Sequence, residues 1–587
     1  MTGESLSLFD RCCERCRHTD SEPCGDWLAC RTVGPFCHTD PKCDEARTAV
    51  ARRIAFGPGA LVGVGQGDCG RGVGSGEVLK ILGKGLPADS FEVVPTGCLG
   101  FCSAEPLVWV ARPAEPVTLF GGVTPDDAVE LAWRLADGVG WPEKVLAYLP
   151  PALAEERSFR DNRHLYTVEE VKGGYYPFFL DKQMRLVTAH CGLSRPTNLD
   201  DHLMRRGLHP LYVLMRHLTP EEAFAFLEDS GLESRVTGEP VAPVWQNFSG
   251  TEGGLIRLDL RDGRANPPPL TRRLLEGLPF QVLESLLLLG LVTRTDRAEI
   301  VLPDDWDGLH EATAPVDDLL RRYAPRSAAP EENLRTALEA LRSRGLTGDS
   351  ILGTDFSCSV ELVREPSEDG EALGVDLETV LNVPAILEMG GEWFRGYGHG
   401  RHPGTKCLLV GGPLAAKGFL ELNLGTPLGD VLNLVCGGGE GPVNEAALDG
   451  GGAVPAAEFD AVLDFPDPEE LPGPPVLGAP ATVVFRVAGE TGEPGPAETG
   501  ERPEVRLSPL TGLLARYGDI TPPTGLPASV LLGWRMAGQR LLVLTTGADD
   551  EAELFHAGRL AGYLSREAPP EMARWAANLL NALHSQP

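Results

Sequence analysis

The sequence has no apolar run long enough to cross a membrane. Its most apolar segment, LPFQVLESLLLLGLV (278–292), is too short for a bilayer and carries Glu284. The amino terminus, MTGESLSLFDRCCERC, lacks the apolar core of a signal peptide. We therefore expect a cytoplasmic protein with no direct membrane insertion.

Basic residues are also scarce. The chain has 52 lysines and arginines against 84 aspartates and glutamates, which gives a formal net charge of −32. No excess of positive charge is available to neutralise phosphates, so we expect no nucleic-acid partner and no docking on an anionic membrane surface. At 587 residues the chain is too long for a single core, and several domains are expected.

Fourteen cysteines are present, and they are unevenly distributed along the chain. Disulfides are rare in the cytoplasm, so clustered cysteines favour metal ligation. The clustered cysteines, which we take as candidate metal ligands, are Cys12, Cys13, Cys16, Cys24, Cys30, Cys37 and Cys43, followed by Cys69, Cys98 and Cys102. The scattered ones, which we expect to be small buried hydrophobic residues, are Cys191, Cys358, Cys407 and Cys436.

Residues 1–50 contain few apolar residues besides cysteine, so metal binding is a plausible way for this extension to fold. Its cysteines exceed the four ligands that one site needs, yet their spacing matches neither a ferredoxin run nor a zinc finger. An iron–sulfur cluster and zinc both stay open for the extension. The alternative is a reactive or disordered segment without metal.

Residues 51–145 are predicted to form an α/β unit. GALVGVG (59–65), FEVVPTGC and EPLVWVARP are typical of strands, whereas GSGEVLKILGKGL and residues 124–138 are typical of helices. Cys98 and Cys102 lie on the turn between the second and third strands. Because a metal or cluster needs about four thiolates, these two are half of a site.

The rest of the chain is a mixture of helices and strands. Helices are predicted at 219–232 and 330–346, and a strand at 356–363. Glycine and proline become frequent after residue 396, where short strands dominate and EGPVNEAALDGGG (440–452) is predicted to be a loop. A polar linker at 491–504 precedes one further strand and two helices.

Several segments, in order, resemble one family of redox subunits. They are FFLDKQMRLVTAHCGLSRPTNLDDHLMRRG (178–207), HLTPEEAFAFLEDSGL (217–232), LTGDSILGTDFSCSVELV (346–363), DLETVLNVPAIL (376–387), GEWFRGYGHGRHPGTKCLLVGG (391–412) and ELNLGTPLGDVLNLVCGGG (421–439). The chain resembles the flavin-bearing, NADH-oxidising 51 kDa-type subunit of NADH:quinone oxidoreductase. It resembles in particular the longer versions in NAD-linked hydrogenases and formate dehydrogenases, which carry a thioredoxin-like [2Fe–2S] domain in front.

The resemblance covers roughly residues 51–490 and implies a multidomain α/β fold. The domains expected are a cysteine-rich metal-binding extension (1–50), a thioredoxin-like [2Fe–2S] domain (51–145), a Rossmann-like domain resembling the FMN- and NADH-binding domain (146–395), a β-grasp (SLBB-like) domain (396–490), and a linker with a divergent carboxyl-terminal helical part (491–587). These segments are mostly scaffold, so they predict the fold rather than the chemistry.

The flavin motifs of the family are degenerate here. Its glycine-rich loop lets FMN approach the backbone, whereas SGLESRVTGEPVAPVW (230–245) keeps Gly231, Arg235 and Gly238 but has Val236 and Thr237 where glycines are expected. The acidic string near the flavin ring is best matched by DLRDGRANP (259–267). That match keeps Asp262 and Gly263, but Arg264 replaces an acid.

Two further family motifs are missing. EPSEDGEALGV (365–375) is too short for the expected Gly-Glu-Glu loop, and no cysteine after Cys436 can form the family's carboxyl-terminal [4Fe–4S] motif. The resemblance thus implies that FMN and NAD are not bound and that no residue is catalytic.

In the front domain, Cys98 and Cys102 match one cysteine pair of the family's [2Fe–2S] cluster, and Cys69 matches the second member of the other pair. The missing first member falls near Val64. Two readings stay open. The site is either decayed, or it holds a [2Fe–2S] cluster completed by a substitute ligand such as a cysteine of the extension.

The sequence therefore predicts an iron–sulfur electron-transfer or scaffold subunit of a multisubunit NAD-linked redox complex, not catalytic alone. Its expected partners are other subunits of ferredoxin-like, hydrogenase or dehydrogenase type. One alternative is a divergent NADH dehydrogenase subunit that binds FMN through a rebuilt pocket. A more distant alternative is a cytosolic metal- or redox-sensing protein.

Overall fold

A computed structural model gives the fold of the chain. It describes residues 55–113, 115–149, 178–261, 266, 268–304, 329–351, 354–399, 402–448, 453–463 and 481–487. The protein is a mixed α/β structure with several sheets. The predicted cysteine-rich extension (1–50), linker and carboxyl-terminal part (491–587) lie outside the described residues.

The first sheet has the strand order β2-β1-β3-β4-β5. Its strands are β1 (Ala60–Gly65), β2 (Phe91–Thr96), β3 (Val108–Ala111), β4 (Val117–Phe120) and β5 (Val145–Leu149). β1 and β2 are parallel, and the other neighbours are antiparallel. The three strands and two helices predicted for this part of the chain are confirmed.

The second sheet is entirely parallel, with the order β8-β7-β6-β9. Its strands are β6 (Leu255–Asp259), β7 (Arg297–Val301), β8 (Ser359–Val363) and β9 (Ala372–Gly374). Parallel strands need crossover connections, which the intervening helices provide.

The third sheet is built from distant parts of the chain, in the order β13-β12-β18-β15-β16. The remaining strands are β10 (Gly398–His399), β11 (His402–Pro403), β12 (Thr405–Gly411), β13 (Gly418–Asn423), β14 (Thr426–Pro427), β15 (Val443–Leu448), β16 (Ala453–Pro455), β17 (Val462–Leu463) and β18 (Thr482–Val487). The loop predicted for residues 440–452 is wrong, because β15 lies there between β18 and β16.

Helices surround and connect these sheets. They are α1 (Asp68–Gly72), α2 (Ser75–Gly85), α3 (Pro125–Ala136), α4 (Phe178–Asp181), α5 (Leu199–Met204), α6 (His209–His217), α7 (Pro220–Ser230), α8 (Ala242–Phe248), α9 (Pro268–Gly277), α10 (Pro279–Thr293), α11 (Ala329–Ser343), α12 (Leu377–Val380), α13 (Val383–Met389), α14 (Gly391–Arg395) and α15 (Leu428–Asp430).

Local sequence accounts for the ends of α7. Thr219 caps its first turn, since the Thr219 hydroxyl accepts a hydrogen bond from the Glu222 amide while the Glu222 carboxylate accepts one from the Thr219 amide. At the other end, Gly231 adopts φ = +62°, the left-handed conformation that glycine tolerates best. The helix predicted at 219–232 is confirmed.

The largest core is organised around α10. Its residues from Pro279 to Gly290 are all buried, which explains the most apolar run of the sequence. Among the described helices, no single one has the length and hydropathy of a membrane span; Leu270–Gly277 and Pro279–Thr293 reach them only as a pair bent by 94°.

We expect a core substitution in α3 to test the packing of the first sheet. Leu131 is 1% exposed, so Leu131→Ala should lower the free energy of unfolding by roughly 2–5 kcal/mol through lost burial and a residual cavity. Val129 on the same helix is 60% exposed, and Val129→Ala should change it by no more than about 0.5 kcal/mol. Denaturant unfolding of both variants checks this. Equal losses would contradict the burial pattern.

Candidate metal centre

The sheet brings three cysteines to one edge. β1 ends at Gly65, shortly before Cys69 on α1, and β2 ends at Thr96, shortly before Cys98 and Cys102. Because β1 and β2 are parallel neighbours, their carboxyl ends meet at the same edge of the sheet. The fold therefore unites thiols that are about thirty residues apart in the sequence.

The three thiols converge tightly. All of their sulfur atoms lie within 4.8 Å of one another, and Cys69 Sγ and Cys98 Sγ are 3.6 Å apart. Thiolates bound to one tetrahedral metal lie roughly 3.8 Å apart, given bonds of about 2.3 Å. Cys69 and Cys98 are buried, and Cys102 is partly exposed. The donor type and burial fit a thiolate-ligated metal or cluster, and the sulfur spacing is that of thiolates gathered around a single metal ion.

The thiols are electrostatically unequal. Hydrogen bonds from Cys69 and Cys98, helped by the positive charge of Arg273, hold the pKa of Cys102 well below its usual range. The same interaction with Cys102 raises the pKa values of Cys69 and Cys98 well above theirs, with burial adding to the effect. A lowered pKa favours the thiolate form of Cys102, which is the form that binds metal.

The carboxylate of Glu105, which is not among the predicted ligands, lies beside the thiols. Glu105 Oε1 lies 3.8 Å from Cys69 Sγ, and Glu105 Oε2 accepts a hydrogen bond of 2.7 Å from the Leu107 amide. Burial raises the pKa of Glu105 to about 8. In the sequence, Glu105 could be recognised as a candidate ligand by its position three residues after Cys102, because a carboxylate is also a metal ligand.

The turn that carries Cys98 and Cys102 docks against two other parts of the molecule. Gly100 adopts φ = +98°, and its backbone oxygen accepts a hydrogen bond of 2.9 Å from the Phe419 amide on β13. A Cβ on Gly100 would lie 2.2 Å from the Phe419 oxygen, and one on Gly192 would lie 2.4 Å from Leu99. The turn that carries Cys98 and Cys102 is thus held between the third sheet and the segment after Cys191.

A buried charged cluster lies on the other side of Cys69. Asp68 forms an ion pair with Arg272 on α9, with Arg272 Nη2 3.0 Å from Asp68 Oδ1. Glu276, one turn later, is 3.6 Å from Arg272 Nε, but within the described residues neither of its side-chain oxygens accepts a hydrogen bond. Burial, aided by the charge of Asp68, raises the pKa of Glu276 to about 8.

This shift predicts a specific pH dependence of stability. The folded protein holds a proton on Glu276 between pH 4.5 and about 8 that the unfolded chain releases, so this carboxyl lowers stability as the pH rises through that range. Glu276→Gln removes the effect, and its melting temperature should rise relative to the parent protein between pH 5 and pH 8. A difference in melting temperature that is independent of pH would contradict the shift.

Comparisons with known proteins point to redox subunits. The chain is 25% identical over 322 residues to the NADP-reducing hydrogenase subunit HndC of Solidesulfovibrio fructosivorans, covering 48% of this chain and 61% of that protein. It is 25% identical over 309 residues to a subunit of the NADH-quinone oxidoreductase of Escherichia coli, covering 46% and 65%. The mitochondrial NADH-ubiquinone oxidoreductase 51 kDa subunit of Neurospora crassa is 30% identical over 160 residues, covering 25% and 31%.

The chain is a distant homologue of these oxidoreductase subunits. The aligned regions span less than two thirds of the length of each of the three. No protein-family model matches the chain. A crystal structure of an NAD⁺-reducing [NiFe]-hydrogenase in the H2-reduced state aligns with 96% of this chain and 89% of its own, at 15% identity and a TM-score of 0.34.

In the loop that resembles the family's flavin loop, the side chain of Arg235 is buried against residues of other segments. Arg235 is 1% exposed, its Nη2 donates a hydrogen bond of 2.8 Å to the Pro403 oxygen, and its guanidinium lies 5.9 Å from the centre of the Phe394 ring. The Arg235 amide donates a hydrogen bond of 2.7 Å to Thr379 Oγ1, so the loop is tied to α12. Burial lowers the pKa of Arg235.

The space around Arg235 is tightly packed. A Cβ on Gly404 would lie 2.5 Å from Arg235 Nη2 and 2.4 Å from the Phe394 ring. The cavity of about 360 Å³ near Met215 and Phe356 and the smaller one beside His202 are lined by other segments.

The remaining predicted site residues and the scattered cysteines are found as follows in the structure. Gly231 and Gly238 adopt positive φ angles, +62° and +67°, in the loop around Arg235. The scattered cysteines are all buried, as predicted: Cys191, Cys358, Cys407 and Cys436. Asp262, Gly263 and the seven cysteines of the extension lie outside the described residues.

Proposed function

We propose that the protein is an iron–sulfur electron-transfer or scaffold subunit of a multisubunit NAD-linked redox complex. Its partners would be other subunits of ferredoxin-like, hydrogenase or dehydrogenase type. Homology to subunits of NADH-quinone oxidoreductase and of an NADP-reducing hydrogenase supports this class of assembly. The observation that carries the proposal is the convergence of Cys69, Cys98 and Cys102 within 4.8 Å.

These three thiolates would hold a [2Fe–2S] cluster, which supplies reversible one-electron transfer when bound. The lowered pKa of Cys102 favours the thiolate that metal binding requires. The positive charge of Arg273 offsets part of the negative charge that thiolates place in a largely buried site. The contact of the Cys98 turn with β13 gives the centre a rigid support.

We further propose that the protein binds neither FMN nor NAD at the loop of residues 231–241 and has no catalytic residue of its own. The burial of Arg235 against Phe394 and Gly404 supports this, because that side chain occupies space beside the loop. In this respect the protein would differ from a flavin subunit while keeping that subunit's scaffold.

Anaerobic reduction tests the proposed function. We expect dithionite to bleach the visible absorption of the purified protein and NADH alone to leave it unchanged, because without a flavin nothing converts a hydride into single electrons. Bleaching by NADH, with a flavin spectrum, would favour a divergent NADH dehydrogenase subunit. Protein that contains only zinc would refute the electron-transfer role and favour a structural or sensing role.

A further inference from the structure

The cysteines that the structure describes supply three ligands to the candidate cluster, and the fourth ligand is still to be identified. Val64 stands near the position of the missing thiol, and a valine side chain offers no donor atom. Val64 is instead packed into the core between the first sheet and α2 with Val62 and Val78. A fourth ligand must therefore come from another residue.

Glu105 occupies the space beside the end of β1. An added Cβ on Gly65, the residue after Val64, would lie 3.2 Å from Glu105 Oε1. An added Cβ on Gly70 would lie 2.9 Å from Glu105 Oε2. Gly65 and Gly70 therefore leave room for the Glu105 carboxylate. The carboxylate lies on the Cys69 side of the site, where the other cysteine of that pair is missing.

The orientation of Glu105 suits ligation. Its Oε2 is held by the Leu107 amide at 2.7 Å, which leaves Oε1 directed at Cys69 Sγ, 3.8 Å away. A sulfur and an oxygen bound to one tetrahedral metal lie roughly 3.5 Å apart, given bonds of about 2.3 and 2.0 Å. A backbone hydrogen bond to the second carboxylate oxygen is the usual kind of support for a ligating carboxylate.

We propose that Glu105 Oε1 is the fourth ligand and completes a three-thiolate, one-carboxylate iron–sulfur site with Cys69, Cys98 and Cys102. This inference rests on the proposed function. A carboxylate carries the same charge as the thiolate it replaces, so the charge of the site is unchanged. The iron that binds Glu105 has a harder, oxygen-containing ligand set than the other.

Mössbauer spectroscopy of the anaerobically purified full-length protein, grown on ⁵⁷Fe, tests the assignment. We expect two inequivalent ferric sites in the parent protein. Glu105→Cys should retain the iron and make the two sites nearly equivalent, whereas Glu105→Gln should lose at least half of the iron. Glu77→Ala, at an exposed position on α2, is the matched control and should leave iron content and spectrum unchanged.

The outcomes separate the two proposals. If the parent protein holds an iron–sulfur cluster that Glu105→Cys and Glu105→Gln leave unaltered, Glu105 is not a ligand, while the electron-transfer role stands. In that case a cysteine of residues 1–50 becomes the candidate fourth ligand. If the parent protein holds no iron, the proposed function fails, and the ligand assignment fails with it.

Discussion

Replacing Cys98 by serine is expected to abolish iron binding at the edge of the first sheet. Cys98 is 2% exposed and lies 3.6 Å from Cys69 Sγ, so its loss leaves two cysteines of the converging three. Weakening a supporting hydrogen bond around a metal ligand costs roughly 10–100-fold in metal affinity, and removing the ligand itself should cost more. Iron analysis and the visible charge-transfer absorption of the purified variant measure the effect.

The matched control is Cys436→Ser. Cys436 is fully buried, like Cys98, but it packs in the apolar core beside Val431 and Val435. The control should therefore lose some thermal stability and keep its iron. Undiminished iron in Cys98→Ser would contradict the candidate centre and move the metal to the extension of residues 1–50.

Replacing Glu421 by glutamine is expected to lower the stability of the protein. Glu421, on β13, is fully buried, and its carboxylate accepts hydrogen bonds from the amides of Leu186, Val187 and Thr188 and from the hydroxyls of Thr188 and Thr405. A glutamine has only one accepting oxygen, so buried donors lose their partner. Because a buried donor left without an acceptor costs roughly 1–3 kcal/mol, the unfolding free energy should fall by at least about that amount.

Glu445→Gln provides the comparison. Glu445, on β15, is paired with Arg486 at 2.9 Å, but both side chains are more than a third exposed to solvent, at 34% and 42%. An exposed ion pair contributes about 0–1 kcal/mol, so this variant should be nearly as stable as the parent protein. Denaturant unfolding compares the two. Similar losses would mean that the Glu421 network does not hold the segment 184–188 against β13.

Local patterns explain why much of the fold is predictable. The start of α7 is predicted by the capping box of Thr219 and Glu222 and by Pro220 at its first position, and its end is predicted by Gly231. β1 is a short apolar run between glycines, and it is buried along its whole length. Such signals depend on neighbouring residues alone, so they can be recognised in the sequence without the rest of the structure.

Long-range pairing explains what local patterns miss. The segment VNEAAL of β15 is mixed in polarity and lies between glycines, which is typical of a loop; it is a strand because Ala446 and Leu448 pair with Phe485 and Val483 of β18. The same holds for the candidate centre. A resemblance predicts Cys69, Cys98 and Cys102 together, whereas the approach of Glu105 depends on a turn whose path the sequence does not reveal.

The central proposal is that this homologue of oxidoreductase subunits transfers electrons through thiolate-bound iron and without flavin. Iron, sulfide and flavin analysis of the anaerobically purified full-length protein tests it most directly. The account predicts at least two irons and two sulfides per chain, as one [2Fe–2S] cluster requires, with no flavin. Stoichiometric FMN held by the loop around Arg235 would contradict it.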